Sequence, residues 1–282
     1  MPEGDTLHRT AEGLRPYLVG RPVVAVRANG PGPIPQVARL VGSTVVEVVS
    51  VGKNRLIRFD NGLELRTHLR MNGSWHRYRP GEPWRRSPTR ARLVLEVPGA
   101  VAVCFDAPVV ELLETRAEGL HPALAGLGPD LLHPSADATS DDVEIVRRLR
   151  QPACAERSIA EALLDQRVMA GVGNVYKSEV LFRRSIDPFV AARELADDDL
   201  LGLIADARGV MVENVSRARP ERITTGDARR SVGPLWVYGR AGRPCRRCGS
   251  TIRSERHGDL PRLTYWCPRC QGARATDIGR ER

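Results

Sequence analysis

Four cysteines constrain the C-terminal part of this chain more than any other feature. Cys245-x2-Cys248 and Cys267-x2-Cys270 are separated by 18 residues. Each C-x2-C places two thiolates on one tight turn, and two such knuckles complete a tetrahedral zinc site. The competing reading is four unrelated reduced thiols. Sulfur fills all four places, so water has no open coordination position and the expected zinc is structural, not catalytic. One structural Zn2+ and no organic cofactor are therefore expected. The other cysteines, Cys104 in an apolar run and Cys154 near a helix start, read as ordinary buried thiols.

A disulfide reading is disfavoured by the expected compartment. The N-terminus MPEGDTLHRT lacks the apolar stretch of a secretory signal, so a cytoplasmic location with reduced thiols is expected. No apolar run approaches a membrane span. An apolar fraction of 41% in 282 residues suits a globular protein with two cores and argues against disorder.

The net charge of +9 is unevenly spread: residues 217–282 carry 16 Arg and 6 acidic residues, while 1–216 carry 27 basic and 28 acidic. A second basic stretch, 66–92, has eight Arg against Glu82 alone. Such surface suits a phosphate backbone, although a solvated Arg-rich surface gives the same count. Only Lys53 and Lys177 among the 43 basic residues are lysine. A site that needs a compact, titratable ammonium resists replacement by guanidinium; chance survival is the alternative.

The chain divides by pattern. Residues 5–19 read as an amphipathic helix capped by Asp5, with Leu7, Leu14 and Leu18 near one face. From Pro22 to about Thr115, runs such as VVAVRA, STVVEVVSV, RLIRF, LELRTHL, ARLVLEV and AVAVCF alternate with Gly, Pro and Asn-Gly turns, predicting a sandwich or barrel. Helical patterns follow at 142–150, 158–168, 174–185 and 195–217, and 218–234 reads as a mobile loop. The expected organisation is α+β and multidomain. It comprises a β-rich domain (1–120), a linker (121–141), a helical domain (142–235), a zinc finger (236–272) and a tail (273–282).

Two further motifs bear on chemistry. In GVGNVYKSEV (171–180), Gly171 and Gly173 permit a tight turn and Asn174 caps the next helix. A glycine turn feeding a helix N-terminus binds phosphate, though such turns are often only turns. At the N-terminus, removal of Met1 would expose Pro2 as a secondary amine able to attack a sugar carbon, with Glu3 beside it to transfer protons.

Together these segments resemble the bacterial formamidopyrimidine-DNA glycosylase and endonuclease VIII (Fpg/Nei) family. The motifs are PEG at the N-terminus, GKN around Lys53, THLRMNGSW (67–75), LGPD (127–130), GVGNVYKSE (171–179), WVYGRAGRPC (236–245) and RLTYWCPRCQ (262–271). The resemblance spans residue 2 to about 272. It implies a β-sandwich with a flanking helix, a helix–two-turn–helix domain and a zinc finger, with damaged DNA in the cleft between domains. It implies a monomer in the bacterial cytoplasm, at the nucleoid, that excises an oxidised base and cuts the abasic strand. Carried over residue by residue, Pro2 resembles the nucleophile that attacks C1′, and Glu3 the general acid and base. Lys53 resembles the lysine of β-elimination and phosphate contact, Asn174 a phosphate contact, and Arg262 the finger arginine of δ-elimination. His68 is assigned to the phosphate site, or is a structural histidine. Arg70, Met71 and Asn72 fall where the family fills the hole left by a flipped base; Met71 is otherwise a core residue at a strand end.

MPEGD, WVYGRAGRPC and YWCPRCQ resemble the endonuclease VIII branch, which implies oxidised pyrimidines. RMNGSW resembles the purine branch, and a lyase limited to abasic sites or a non-catalytic DNA-binding relative are further alternatives. Two positions depart from the family pattern. Thr6, beside Asp5, stands where a carboxylate is common, and Gly126 where a basic contact is common; Arg116 or the 66–92 arginines are the substitutes considered for the latter.

Overall fold

The computed structural model describes residues 2–30, 34–217, 221–226, 233–258 and 262–272. The expected tail at 273–282 lies outside the described residues, as do 218–220 and 227–232 of the expected mobile loop. The chain forms two compact units, Met1–Gly126 and Leu127–Arg282.

The first unit opens with α1 (Gly4–Leu18), which buries Leu7, Ala11, Leu14 and Leu18 at the spacing of one helical face. The expected cap is corrected. Glu3, not Asp5, is the N-cap residue: its extended backbone carbonyl accepts from the amides of Thr6 (3.0 Å) and Leu7 (3.2 Å), with no side-chain cap. Asp5 lies in the first turn, fully buried, and faces Arg9 at 3.7 Å. A carboxylate there is favoured by the helix dipole without capping it.

Eight strands follow: β1 (Ala25–Ala28), β2 (Val45–Val51), β3 (Asn54–Phe59), β4 (Leu63–His68), β5 (Ser74–Tyr78), β6 (Ala91–Val97), β7 (Ala100–Phe105) and β8 (Val109–Glu114). They form two antiparallel four-stranded sheets, β1-β6-β7-β5 and β2-β3-β4-β8. Val48, Ile57, Leu65, Leu93, Leu95, Ala102 and Cys104 share one core with the apolar face of α1. The unbroken apolar run of β7 has a cause. Its other face packs into a second cluster with Tyr78, Val94 and Trp84, so the strand is buried on both sides. Cys104 is fully buried, and burial pushes its thiol well above the ordinary range.

The second unit begins its helices at α2 (Ala138–Leu149), four residues ahead of the expected 142, because Asp137 caps it by accepting from the Thr139 amide at 3.0 Å. A short α3 (Pro152–Ala155) precedes the helix expected at 158–168, of which only α4 (Ile159–Ala162) forms. Gln166 explains the break. Its amide donates to the carbonyls of Leu164 (3.0 Å) and Val172 (2.9 Å) and accepts from the Gly171 amide (3.1 Å), satisfying the Leu164 carbonyl that a continued helix would have paired and joining it to the turn before α5. Next come α5 (Asn174–Arg183) and α6 (Asp197–Ser216), which pack Tyr176, Val180, Leu203, Ile204 and Met211 into one core. Part of the expected mobile loop is pinned. Buried Asn214 accepts from the Ile223 amide at 2.7 Å, and the Thr224 amide donates to Pro234 at 2.8 Å. The hairpin β9 (Arg253–His257) and β10 (Arg262–Trp266), then α7 (Pro268–Gln271), complete the unit. Among the described residues, no helix is long and apolar enough to cross a membrane.

Candidate nucleic-acid site and metal centre

In the first unit, Pro2 is partly exposed at the start of α1 and Glu3 behind it is fully buried. Lys53 stands in the two-residue turn between β2 and β3, which Val51 and Asn54 close as a pair. Gly52, first in that turn, has φ 57°, a conformation glycine adopts freely. Arg55, two residues on, is fully buried and donates to the Leu7 carbonyl, tying α1 to the Lys53 hairpin.

His68 pairs with Asn54 across β3 and β4. Burial, then the neighbouring charges of Arg66, Arg70 and Lys53, hold its imidazole down to about 4. It is therefore neutral at pH 7. Its Nδ1 accepts from the Arg70 amide at 3.2 Å, which leaves the ring proton on Nε2, a donor suited to an anion. Arg70 has φ 47°, and the Gly73 amide donates to Leu69 at 2.9 Å. A Cβ on Gly73 would lie 2.6 Å from the Leu69 carbonyl oxygen, so only glycine fits this turn. The turn holds Met71 out at 53% exposure, with Arg70 and Asn72 also exposed. The reading of Met71 as a core residue is thereby excluded.

The basic stretch 66–92 is less available than its composition implies. Arg66 is buried against Glu111 and Asn54, Arg86 and Arg90 both bind Asp106, Arg92 donates to the Ala107 carbonyl, and Arg77 lies over the Tyr17 ring. Arg70, Arg79 and Arg85 are its guanidiniums with no internal partner among the described residues. Arg116 is exposed but paired with Glu114 at 2.7 Å, and Thr6 donates to Asp5 at 3.3 Å.

In the second unit, Gly171 has φ 98°, whereas Gly173 has φ −128°, open to any residue. Gly173, not Asn174, is the N-cap of α5. Asn174 is the first helical residue, and its side-chain amide donates to the Leu263 carbonyl at 2.8 Å, so its expected capping role is corrected: it ties α5 to β10. Lys177 donates to Thr264 Oγ1 at 2.9 Å. Glu179, fully buried, accepts from the amides of Trp236 (2.8 Å), Val237 (2.9 Å) and Tyr238 (2.8 Å) and from the Thr224 hydroxyl. Arg262, next to Leu263 on β10, is exposed. Sequence reasoning singled out Lys177 by composition but gave it no role, and it passed over Glu179 and Thr264.

Cys245, Cys248, Cys267 and Cys270 bring their sulfurs within 4.8 Å of one another, with Cys245–Cys270 at 3.9 Å and Cys248–Cys267 at 3.4 Å. A tetrahedral site with Zn–S bonds of about 2.3 Å has S···S edges of about 3.8 Å, so the donor set fits zinc. Cys245 and Cys267 share a small apolar cluster with Phe182, Val237 and Ile252. Gln271 accepts from the Cys267 amide and donates to the Ile186 carbonyl, both at 2.9 Å, docking the module on the helical part of its unit.

Comparison with known proteins covers all three regions. Residues 1–108 match the formamidopyrimidine-DNA glycosylase N-terminal domain, 127–224 the formamidopyrimidine-DNA glycosylase H2TH domain, and 242–272 the zinc finger found in FPG and IleRS. A Streptomyces coelicolor protein named probable endonuclease 8 2 is 41% identical over 99% of this chain and 97% of its own length. The chain belongs to the Fpg/Nei family. A DNA-(apurinic or apyrimidinic site) lyase Nei2 of Mycolicibacterium smegmatis is also 41% identical, over 97% of this chain and all of that one. The crystal structure of MutM (Fpg) from Thermus thermophilus superposes with a TM-score of 0.78 at 30% identity, covering 97% of this chain and 100% of that one. This Fpg/Nei member is thus a DNA-repair enzyme of the DNA glycosylase and AP lyase type, with the family's sandwich, helical domain and four-cysteine zinc finger.

Proposed function

We propose that this Fpg/Nei enzyme removes oxidised pyrimidines from DNA and then cuts the abasic strand by β,δ-elimination through a Schiff base on Pro2. The observation that carries this reading is a partly exposed Pro2 backed by a fully buried Glu3 at the start of α1. Once Met1 is removed, the Pro2 nitrogen attacks C1′ and Glu3 protonates the sugar ring oxygen. The glycosidic bond breaks, the base leaves, and the nitrogen and C1′ form an iminium. Loss of the C2′ proton expels the phosphate on C3′, and loss of the C4′ proton expels the phosphate on C5′. Water then hydrolyses the imine and frees Pro2. Lys53 and neutral His68 hold the phosphate in the first step. Arg262 and Asn174 grip phosphate for the second. Arg70, Met71 and Asn72 enter the space left by the extruded base.

Similarity to the endonuclease 8 relative and the opening MPEGD support the pyrimidine preference. The name of the Mycolicibacterium relative favours a second reading, an abasic-site lyase without base excision. Borohydride trapping on duplexes carrying thymine glycol, dihydrouracil, 8-oxoguanine or a plain abasic site separates the two. The proposed enzyme traps on oxidised pyrimidines and abasic sites, and Pro2→Gly, whose N-terminal primary amine forms a neutral imine in place of the charged iminium, traps much less on both. Trapping on abasic DNA alone leaves the lyase reading, and undiminished trapping by Pro2→Gly sinks the mechanism.

A further inference from the structure

Lys177 is the other lysine that this arginine-rich chain retains. It lies on α5 with only 1% of its surface exposed, and its ammonium donates to Thr264 Oγ1 at 2.9 Å, across 87 positions of sequence. Thr264 is itself 1% exposed. One turn earlier on α5, Asn174 donates to the carbonyl of the preceding strand residue, Leu263, at 2.8 Å. Residues two apart in a strand share a face, so Arg262 projects from the same side of β10 as Thr264. The exposed Arg262 is therefore the outer member of a row whose inner member is fastened to a buried ammonium.

We infer that Lys177 is a positioning residue, which fixes β10 through Thr264 and so aims Arg262 at the phosphate expelled in the second elimination. This rests on the assignment of Arg262 to that step. A compact ammonium on a flexible stem fits the buried slot and donates to the Thr264 hydroxyl. A guanidinium is wider, and its five donors need a planar set of acceptors.

The test measures the ratio of δ- to β-elimination products on an abasic duplex with zinc-loaded enzyme, alongside borohydride trapping and zinc content. Lys177→Met and Thr264→Val each lower the δ fraction by about tenfold, within the roughly hundredfold loss that displacing a reacting contact by about an ångström can cause. Trapping stays within about twofold and one zinc per chain is retained, because neither residue touches the Pro2 chemistry. Thr264→Ser, which restores the hydroxyl, returns the wild-type ratio. Where Lys177→Met loses its zinc, the Thr264 pair decides: equal ratios in Thr264→Val and Thr264→Ser overturn the anchor. Arg262→Ala separates the two assignments. An unchanged ratio there overturns the role of Arg262 and the anchor with it. A lost δ product in Arg262→Ala, with Thr264→Val unchanged, overturns the anchor alone.

Discussion

In the first unit Lys53 stands on a hairpin whose strands enter a large apolar core, with Val48, Ile57, Leu65 and the face of α1 packed beneath it. In the second unit Arg262 stands on a two-stranded hairpin whose local apolar cluster, among the described residues, holds Phe182, Val237, Cys245, Ile252 and Cys267 as buried members. Polar pins compensate there: Glu179 on three successive amides, Asn174 and Lys177 on β10, Gln271 on Ile186. The contrast follows from size. A sandwich of eight strands and a helix buries enough surface to fix its loops, whereas a hairpin this small needs a metal and fixed hydrogen bonds.

The largest expected effect comes from the metal. A structural zinc contributes on the order of 10 kcal/mol to folding a module of this kind. Cys267→Ser should release the zinc and weaken binding to an abasic-analogue duplex about 100-fold, while amide hydrogen exchange in β2–β4 stays as in wild type. Undiminished DNA affinity in a zinc-free variant would break the comparison. Next is Glu179→Ala, which strands three amides, that of Val237 buried and those of Trp236 and Tyr238 part-buried, and a hydroxyl; a loss of about 3–5 kcal/mol in urea unfolding of the second unit is expected. Leu14→Ala acts in the other unit through a cavity under α1 and should cost about 3 kcal/mol without changing zinc content.

Those two kinds of support were unequally legible in the sequence. The helical face of α1 and the apolar patterning of β2 and β6 are local signals, and all three elements lie where the pattern puts them. The four cysteines carry their own spacing. What escaped was fixed by partners far along the chain. Arg66 counts as surface charge in a window, yet across β4 and β8 it faces Glu111. The end of α4 depends on Gln166 reaching back to Leu164 and on to Val172, which no helical period contains. Lys177 was visible as a compositional exception, while its acceptor Thr264 was not, because only the fold of the zinc module brings β10 to α5.

A smaller effect tests the electrostatics of the first unit. His68 is held down to about 4, below the ordinary 6.5 that it regains on unfolding. Between those values the unfolded chain binds more protons, so stability falls as pH drops from about 6.5 towards 4 and levels off below. His68→Gln should remove that part of the acid dependence, and an NMR titration of His68 should show its midpoint near 4. A midpoint near 6.5 would mean that neither burial nor the charges of Arg66, Arg70 and Lys53 hold the imidazole down.

The smallest stability change belongs to Met71. At 53% exposure on the Leu69–Gly73 turn it contributes little to the core, so Met71→Ala should shift unfolding by no more than about 0.5 kcal/mol. Its expected cost falls on function alone. A wedge that fills the space of an extruded base offsets part of the few kcal/mol of unstacking, so excision from duplex DNA should slow by roughly tenfold. On single-stranded abasic DNA, where no stack has to open, the same variant should cut at nearly the wild-type rate. Equal losses on both substrates would assign Met71 to the chemistry or to the fold of the turn. Unaltered duplex excision would remove it from the DNA-contacting set and leave Arg70 and Asn72 as the exposed candidates on that turn.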